Sequence, residues 1–287
     1  MADRLDIQKT YKMYVGGAFI RSESGHYYPL TGKGGKLTAN ICLATRKDFR
    51  DAVTKARGAQ EKWAGRSAYN RGQILYRIAE MMEGRKDQFI AELVREGLTK
   101  KQAEKETLAT IDRVVYFAGW TDKYTQLFST VNPVQSSHFN FSLPEPMGVV
   151  VVMAPEKPSL LGLVSSILPA IVGGNTVIAL ASTGAPLSAL TFSEILHSSD
   201  VPGGVINILT GKTEDLAEHF STHMDVNAVV YAREDESMLH QIQENATGNL
   251  KRVYHVWYKD WYSDEVDNPY AIADLQETKT TWHPVGI

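Results

Sequence analysis

The sequence predicts an α/β fold: a parallel five-stranded sheet with flanking helices, plus a small β arm. Three observations predict it. Residues 146–155, PMGVVVVMAP, form a continuous apolar run of the kind required by a strand buried on both faces. That run opens a series of strand-like segments at 148–154, 176–181, 205–210, 227–232 and 251–257, separated by helical segments such as 159–172 and 186–198. Strands alternating with helices of about three turns call for crossover connections and a parallel sheet. Outside this alternation, residues 130–143 turn at Asn132-Pro133 and then set Phe139, Phe141 and Leu143 against Asn140 and Ser142, the pattern of a half-buried hairpin.

The remaining elements follow in order. Residues 13–30, MYVGGAFIRSESGHYYPL, alternate and turn at Gly16-Gly17 and Ser24-Gly25, as a small β-hairpin would. From Thr45 the period changes, with Phe49, Val53, Ala56, Ala59 and Trp63 at helical spacing. Helical periodicity continues through 71–82, 86–96 and 107–124. The chain divides into 1–130 (hairpin and helices), 131–144 (arm hairpin), 145–258 (parallel core), 259–274 (a short linker) and 275–287 (a last arm strand).

A chain of 287 residues can bury about 75% of its unfolded surface, so a large core is available. The net charge of −3, with both signs interspersed, argues against nucleic acid or an anionic membrane as partner. A single cysteine, Cys42, excludes an internal disulfide and fits a reducing cytoplasm. It lies in the apolar stretch LTANICLAT, with no cation before Arg46, which reads as a buried structural thiol. The opening MADRLDIQKTYK lacks the apolar core of a signal peptide, and the apolar run 160–172 is too short for a bilayer. A soluble, cytoplasmic chain is expected. His219 and His223 are four apart beside Glu218 and Asp225, but no third ligand is specified, so no metal is expected.

No Gly-x-Gly-x-x-Gly follows the first strand. The phrases LPAIVGGNTVIALA, PGGVINILTGK and VNAVVYA, with RVVYFAGWTDKY before them, resemble the Rossmann-like cofactor-binding half of the aldehyde dehydrogenase superfamily, which also lacks that fingerprint. The resemblance implies an oxidoreductase fold and a place for NAD(P), yet the family's chemistry is replaced position by position. Where the family has Pro-Trp-Asn, whose asparagine holds the oxyanion, this chain has Pro155, Glu156 and Lys157, which read as a solvated loop. The family's ribose-binding Lys-Pro-Ala-Glu becomes Leu180, Ala181, Ser182 and Thr183. Losing two charge-assisted contacts of about 1.5–3 kcal/mol each weakens binding by roughly 10² to 10⁴.

The Phe-Thr-Gly-Ser at the pyrophosphate becomes Tyr231, Ala232, Arg233 and Glu234, followed by Asp235 and Glu236. These acids stabilise a helix start but repel an anion, so a self-capped surface helix is expected, with Arg233 the one group suited to phosphate. Val256 stands at the family's general-base glutamate, with Trp257, Tyr258 and Lys259 after it, and no cysteine follows Cys42. No catalytic residue and no cofactor are therefore assigned; weak NAD(P) binding stays open.

The tail LQETKTTWHPVGI, 275–287, is similar to the family's final strand, which joins the oligomerisation arm, and residues 253–274 stand where the family has its whole catalytic domain. With GNTVIALAS, GNLKRV and TWHPVG, this resembles the truncated, nucleophile-less second module of the two-module, family 16 aldehyde dehydrogenases. The resemblance implies a pseudoenzyme that forms a homo-oligomer or pairs with a full-length aldehyde dehydrogenase. The alternatives are a weak NAD(P) sensor, or part of an oxidoreductase completed by a partner chain. Interface candidates are Phe139, Phe141, Thr278, Thr280 and Trp282 in the arm, and Trp257 and Trp261 in the aromatic run 254–270. The second pair reads equally well as a cap over the sheet face bared by the missing domain.

Overall fold

Every residue of Val149–Met153 is buried, and this strand is the middle one of five parallel strands in the computed structural model, which describes residues 9–32 and 37–286. The polar start that argues against a signal peptide lies mostly outside the described residues. The elements run β1 (Thr10–Tyr11), β2 (Met13–Val15), β3 (Ala18–Ile20), β4 (Tyr27–Thr31), β5 (Leu37–Cys42), α1 (Arg46–Ala64), α2 (Ala68–Gly84), α3 (Lys86–Arg95) and α4 (Lys100–Ala118). They continue with α5 (Tyr124–Phe128), β6 (Thr130–Asn132), β7 (His138–Pro146), β8 (Val149–Met153), α6 (Ser159–Val172), β9 (Thr176–Leu180), α7 (Leu187–Ser198) and β10 (Ile206–Leu209). The last are α8 (Thr213–Thr222), β11 (Ala228–Tyr231), α9 (Glu236–Ala246), β12 (Arg252–His255), α10 (Tyr270–Asp274) and β13 (Gln276–Pro284).

The main sheet has the order β12-β11-β8-β9-β10-β2-β3. The five strands expected from the sequence are parallel, as each ladder from β12 to β10 shows. The sheet is wider than expected, because the β2–β3 hairpin adds two antiparallel strands beyond β10. The second half of the expected 13–30 hairpin does not pair with the first: β4 joins β5 in a separate three-stranded sheet with β1. The long helix starts before the expected Thr107, at Lys100, where Thr99 and Gln102 form a capping box. It ends at Ala118, and the shorter α5 takes up the chain after a turn.

Helix α6 is buried at every position, covered by the sheet on one side and α4 on the other. Its Gly162 admits Pro155 closely: a Cβ there would lie 2.2 Å from the proline Cγ. That contact fixes the loop leaving β8.

The arm is a third sheet, β13-β7-β6, with β13 paired antiparallel to β7 along its whole length. The expected linker is a packed cap. Trp261 is 6% exposed and clusters with Leu161, Ala232 and Val266. Arg113 pairs with Asp267 at 2.6 Å and donates to the Trp261 carbonyl and Ser165 Oγ. Of the two readings of Trp261 the structure favours the cap over the interface, because the residue is buried in a cluster with Leu161 in the first turn of α6. From this cap the chain reaches the arm under Asn175, whose Nδ2 donates to the Leu275 carbonyl, and Arg252 donates to both Glu277 carboxylate oxygens.

Candidate functional site

Strand order reverses at β8, where the chain proceeds through β9 to β10 and then returns to β11 on the other side. In open α/β sheets, ligands bind in the crevice outside the carboxyl ends of the strands at such a switch point. Here that place is a cleft of about 640 Å³ lined by Glu156, Thr183, Lys212, Thr213, Glu214, Tyr231, Arg233, Glu234, Asp235 and Met238. The structure thus brings Glu156, Thr183, Arg233 and Glu234 together. It leaves out Leu180, which is buried in the core, Val256, which packs against the cap, and Lys157, which is exposed.

Arg233 is not the surface residue expected from the sequence: its side chain is only 11% exposed. Its Nε donates to the Ala154 carbonyl at 2.9 Å and a terminal nitrogen to the Ala181 carbonyl at 3.3 Å. The other terminal nitrogen donates to Thr213 Oγ1 and pairs with Glu156 at 2.5 Å. One guanidinium therefore ties the ends of β8 and β9 to the start of α8. Burial lowers the Arg233 pKa, against the pull of Glu156.

Glu156 is likewise pinned, though its side chain is 45% exposed. It accepts from Ser182 Oγ at 2.7 Å and from the backbone N–H groups of Thr183 and Gly184 at 3.0 and 3.2 Å. Burial pushes its carboxyl up, but Arg233 and these donors outweigh that and hold it below the ordinary range. Glu234 accepts from the Trp257 indole, and Asp235 rather than Glu234 caps α9, accepting from Met238 N–H.

At this end of the sheet the N-termini of α6 and α7 are occupied by carboxyl groups of the chain itself, whereas the start of α8, at Lys212 and Thr213 on the cleft wall, has no side-chain cap. Glu106 accepts from the N–H groups of Leu160 and Leu161 at the start of α6, and Glu96 accepts from Leu187 N–H at the start of α7. Sequence reasoning missed both glutamates because they arrive from α4 and from the residue after α3, far along the chain. A free helix N-terminus is what a pyrophosphate needs, and α6, α7 and α9 each have theirs taken. The cleft wall sets Glu156, Glu214, Glu234 and Asp235 against Lys212 and Arg233. These carboxyl groups, with Glu156 filling the Thr183 and Gly184 N–H groups, disfavour the diphosphate of a nicotinamide dinucleotide. Calorimetry is expected to give dissociation constants above about 1 mM for NAD and NADP, weaker than about −4 kcal/mol. A micromolar constant would overturn this.

Cys42, the sole cysteine, is buried among Ala44, Phe49 and Leu209, its carbonyl accepting from Thr210 Oγ1. His223, four residues after His219, lies just beyond the last residue of α8. It caps α8, where its Nδ1 accepts from Asp225 N–H and its ring meets Phe49 edge-on.

The aldehyde dehydrogenase family model matches residues 19–255, ending where the parallel sheet ends. Cytosolic 10-formyltetrahydrofolate dehydrogenase of Mus musculus is 29% identical over 256 residues, covering 87% of this chain and 28% of that protein. The mitochondrial benzaldehyde dehydrogenase of Antirrhinum majus is 29% identical over 247 residues, 84% of this chain and 46% of that one. An aldehyde dehydrogenase of Bacillus cereus in its NAD+ complex superposes with a TM-score of 0.81 at 23% identity, over 85% of this chain and 50% of that chain. Lactaldehyde dehydrogenase of Escherichia coli gives 0.80 at 23% identity, over 86% and 52%. The chain thus spans about half the length of these solved structures and between 28% and 46% of these two curated relatives. With most of its length matched by the family model and its sheet superposing on solved members, the chain belongs to the aldehyde dehydrogenase family.

Proposed function

We propose that this chain is a catalytically inactive member of its family, a cytoplasmic pseudoenzyme that acts as a structural or regulatory partner by oligomerising through its arm. It pairs either with a second copy or with a full-length, active aldehyde dehydrogenase. The arm carries this reading. Its register places Val131, Phe139, Phe141 and Leu143 on one face of the β13-β7-β6 sheet, with Val131 67% and Phe139 47% exposed. Strand β13 offers a nine-residue edge including Thr278, Thr280 and Trp282. An apolar face beside a long unpaired edge is a liability unless another chain covers it. Inactivity is supported by the sole cysteine being a core residue and by the carboxylates lining the switch-point cleft. Loss of a covalent nucleophile alone commonly costs about 10⁴- to 10⁶-fold in rate.

Light scattering coupled to gel filtration tests the partner role. The full chain, alone or mixed with an aldehyde dehydrogenase from its source, is expected to run as an oligomer. Phe139→Asp, or removal of residues 278–287, is expected to leave a folded monomer. A full chain that stays monomeric and ignores every such enzyme would sink the proposal. In the same preparation, aldehyde oxidation with NAD or NADP is expected to stay at the heat-killed background. Turnover that disappears in Cys42→Ser would make the chain an enzyme. Micromolar NAD binding without turnover would favour the sensor reading.

A further inference from the structure

The contacts around Glu156 describe a binding site that already holds an anion. Two successive backbone N–H groups, from Thr183 and Gly184, converge on the carboxylate, with Ser182 Oγ at 2.7 Å and the Arg233 guanidinium at 2.5 Å. Successive N–H groups aimed at one point make an anion-binding concavity, and a buried guanidinium behind them adds charge. The cradle is rigid. Ser182 is buried and its Oγ accepts from Ala185 N–H, Thr183 Oγ1 donates to the Gly211 carbonyl, and Arg233 is held by the Ala154 and Ala181 carbonyls and Thr213. The occupant is different. Glu156 hangs from the loop between β8 and α6, outside any helix or strand, and nearly half of its side chain meets solvent.

We propose that Ser182, Thr183, Gly184 and Arg233 form a preorganised oxyanion site whose resident ligand is the chain's own Glu156, and that an external carboxylate enters it when that side chain is withdrawn. The site takes one singly charged group. Glu214, Glu234 and Asp235 stand around the same cleft and oppose a phosphate dianion more strongly than a carboxylate. This cradle stands whether or not the arm pairs with another chain, because none of its residues belongs to the arm.

Glu156→Ala empties the cradle and leaves Arg233 without its counter-charge. Its melting temperature is expected to fall by about 2–4 °C, the shift typical of a modest loss in a chain of this size. Acetate at tens of millimolar is expected to restore the loss saturably, inorganic phosphate less well, and chloride at matched ionic strength not at all. The wild type and Glu156→Gln, whose side chains still fill the cradle, are expected to ignore acetate. Adding Ser182→Ala to Glu156→Ala removes one donor and is expected to weaken the acetate effect about tenfold.

Equal responses to acetate and chloride, or the same acetate response in wild type, would overturn the proposal. Should Glu156→Ala fail to fold in chloride, its refolding yield becomes the readout. A yield raised by acetate supports the site, and equal yields in both salts refute it. Phosphate acting more strongly than acetate would refute the preference for a single charge.

Discussion

Arg233→Met is expected to destabilise the protein by roughly 3–5 kcal/mol, because three oxygens lose their donor at once. The magnitude comes from what the guanidinium holds. The Ala154 and Ala181 carbonyls at the ends of β8 and β9 lose their donor, and Thr213 Oγ1 at the start of α8 loses its tie to the sheet. Methionine fills the volume but satisfies none of these oxygens, and each buried acceptor left unpaired costs on the order of 1–3 kcal/mol. Glu156→Gln should cost much less, about 1 kcal/mol, because that side chain is half in solvent and the amide can keep part of the cradle. The asymmetry is the test. Urea midpoints at constant m for both variants separate the cases. Equal losses would mean that Arg233 acts only as a counter-ion to Glu156.

The parallel sheet was legible because its signal is local: Val149–Met153 and Thr176–Leu180 are uninterrupted apolar runs, buried at every position. The arm was legible too, since Phe139, Phe141 and Leu143 alternate with Asn140 and Ser142 and the terminal strand pairs with them over nine residues. What was missed is non-local. The β2–β3 hairpin joins the main sheet through a single residue pair, Tyr14 with Ile208, and no periodicity announces such an edge. The aromatic run 254–270 was ambiguous because spacing cannot separate Trp257, which stays half exposed, from Trp261, which turns into the core.

The Glu156–Arg233 pair joins residues on two different loops, and their types alone suggested a solvated loop and a helix start. Strand order would have found it. Strands β8 and β11 are neighbours with Met153 opposite Tyr231, so Glu156 and Arg233 leave the sheet side by side. The Ser182-Thr183-Gly184 turn, small and rich in donors, follows the strand on the other side of β8.

Stability is expected to fall as pH rises from about 5 to about 8, with Glu96 a main cause. Burial raises its carboxyl to about 8, against the Leu187 N–H, and the nearby Glu92 and Glu106 push the same way. Charged and ionisable groups surround it: Tyr11 and Arg95 engage Glu92, and Tyr28 is raised by burial, Glu156 and Glu96 itself. In the unfolded chain Glu96 titrates near 4.5, so between that pH and about 8 the folded state binds the extra proton. Stability then declines with rising pH, because the unfolded state binds fewer protons than the native one. The full contribution is present below the unfolded value and lost above the folded one, and its size is on the order of 3–5 kcal/mol.

Glu106, raised by burial as well, adds to the same slope, whereas Lys251, lowered by burial to about 8, reverses it at higher pH. Glu96→Gln isolates the one group. The amide keeps the acceptor for Leu187 N–H and cannot ionise, so it should match the wild type at pH 5 and exceed it by several kcal/mol at pH 8.5. Chemical denaturation of both proteins across that range is the measurement. Parallel curves would mean that Glu96 ionises freely in the fold, and that the start of α7 is held by a charged carboxylate instead.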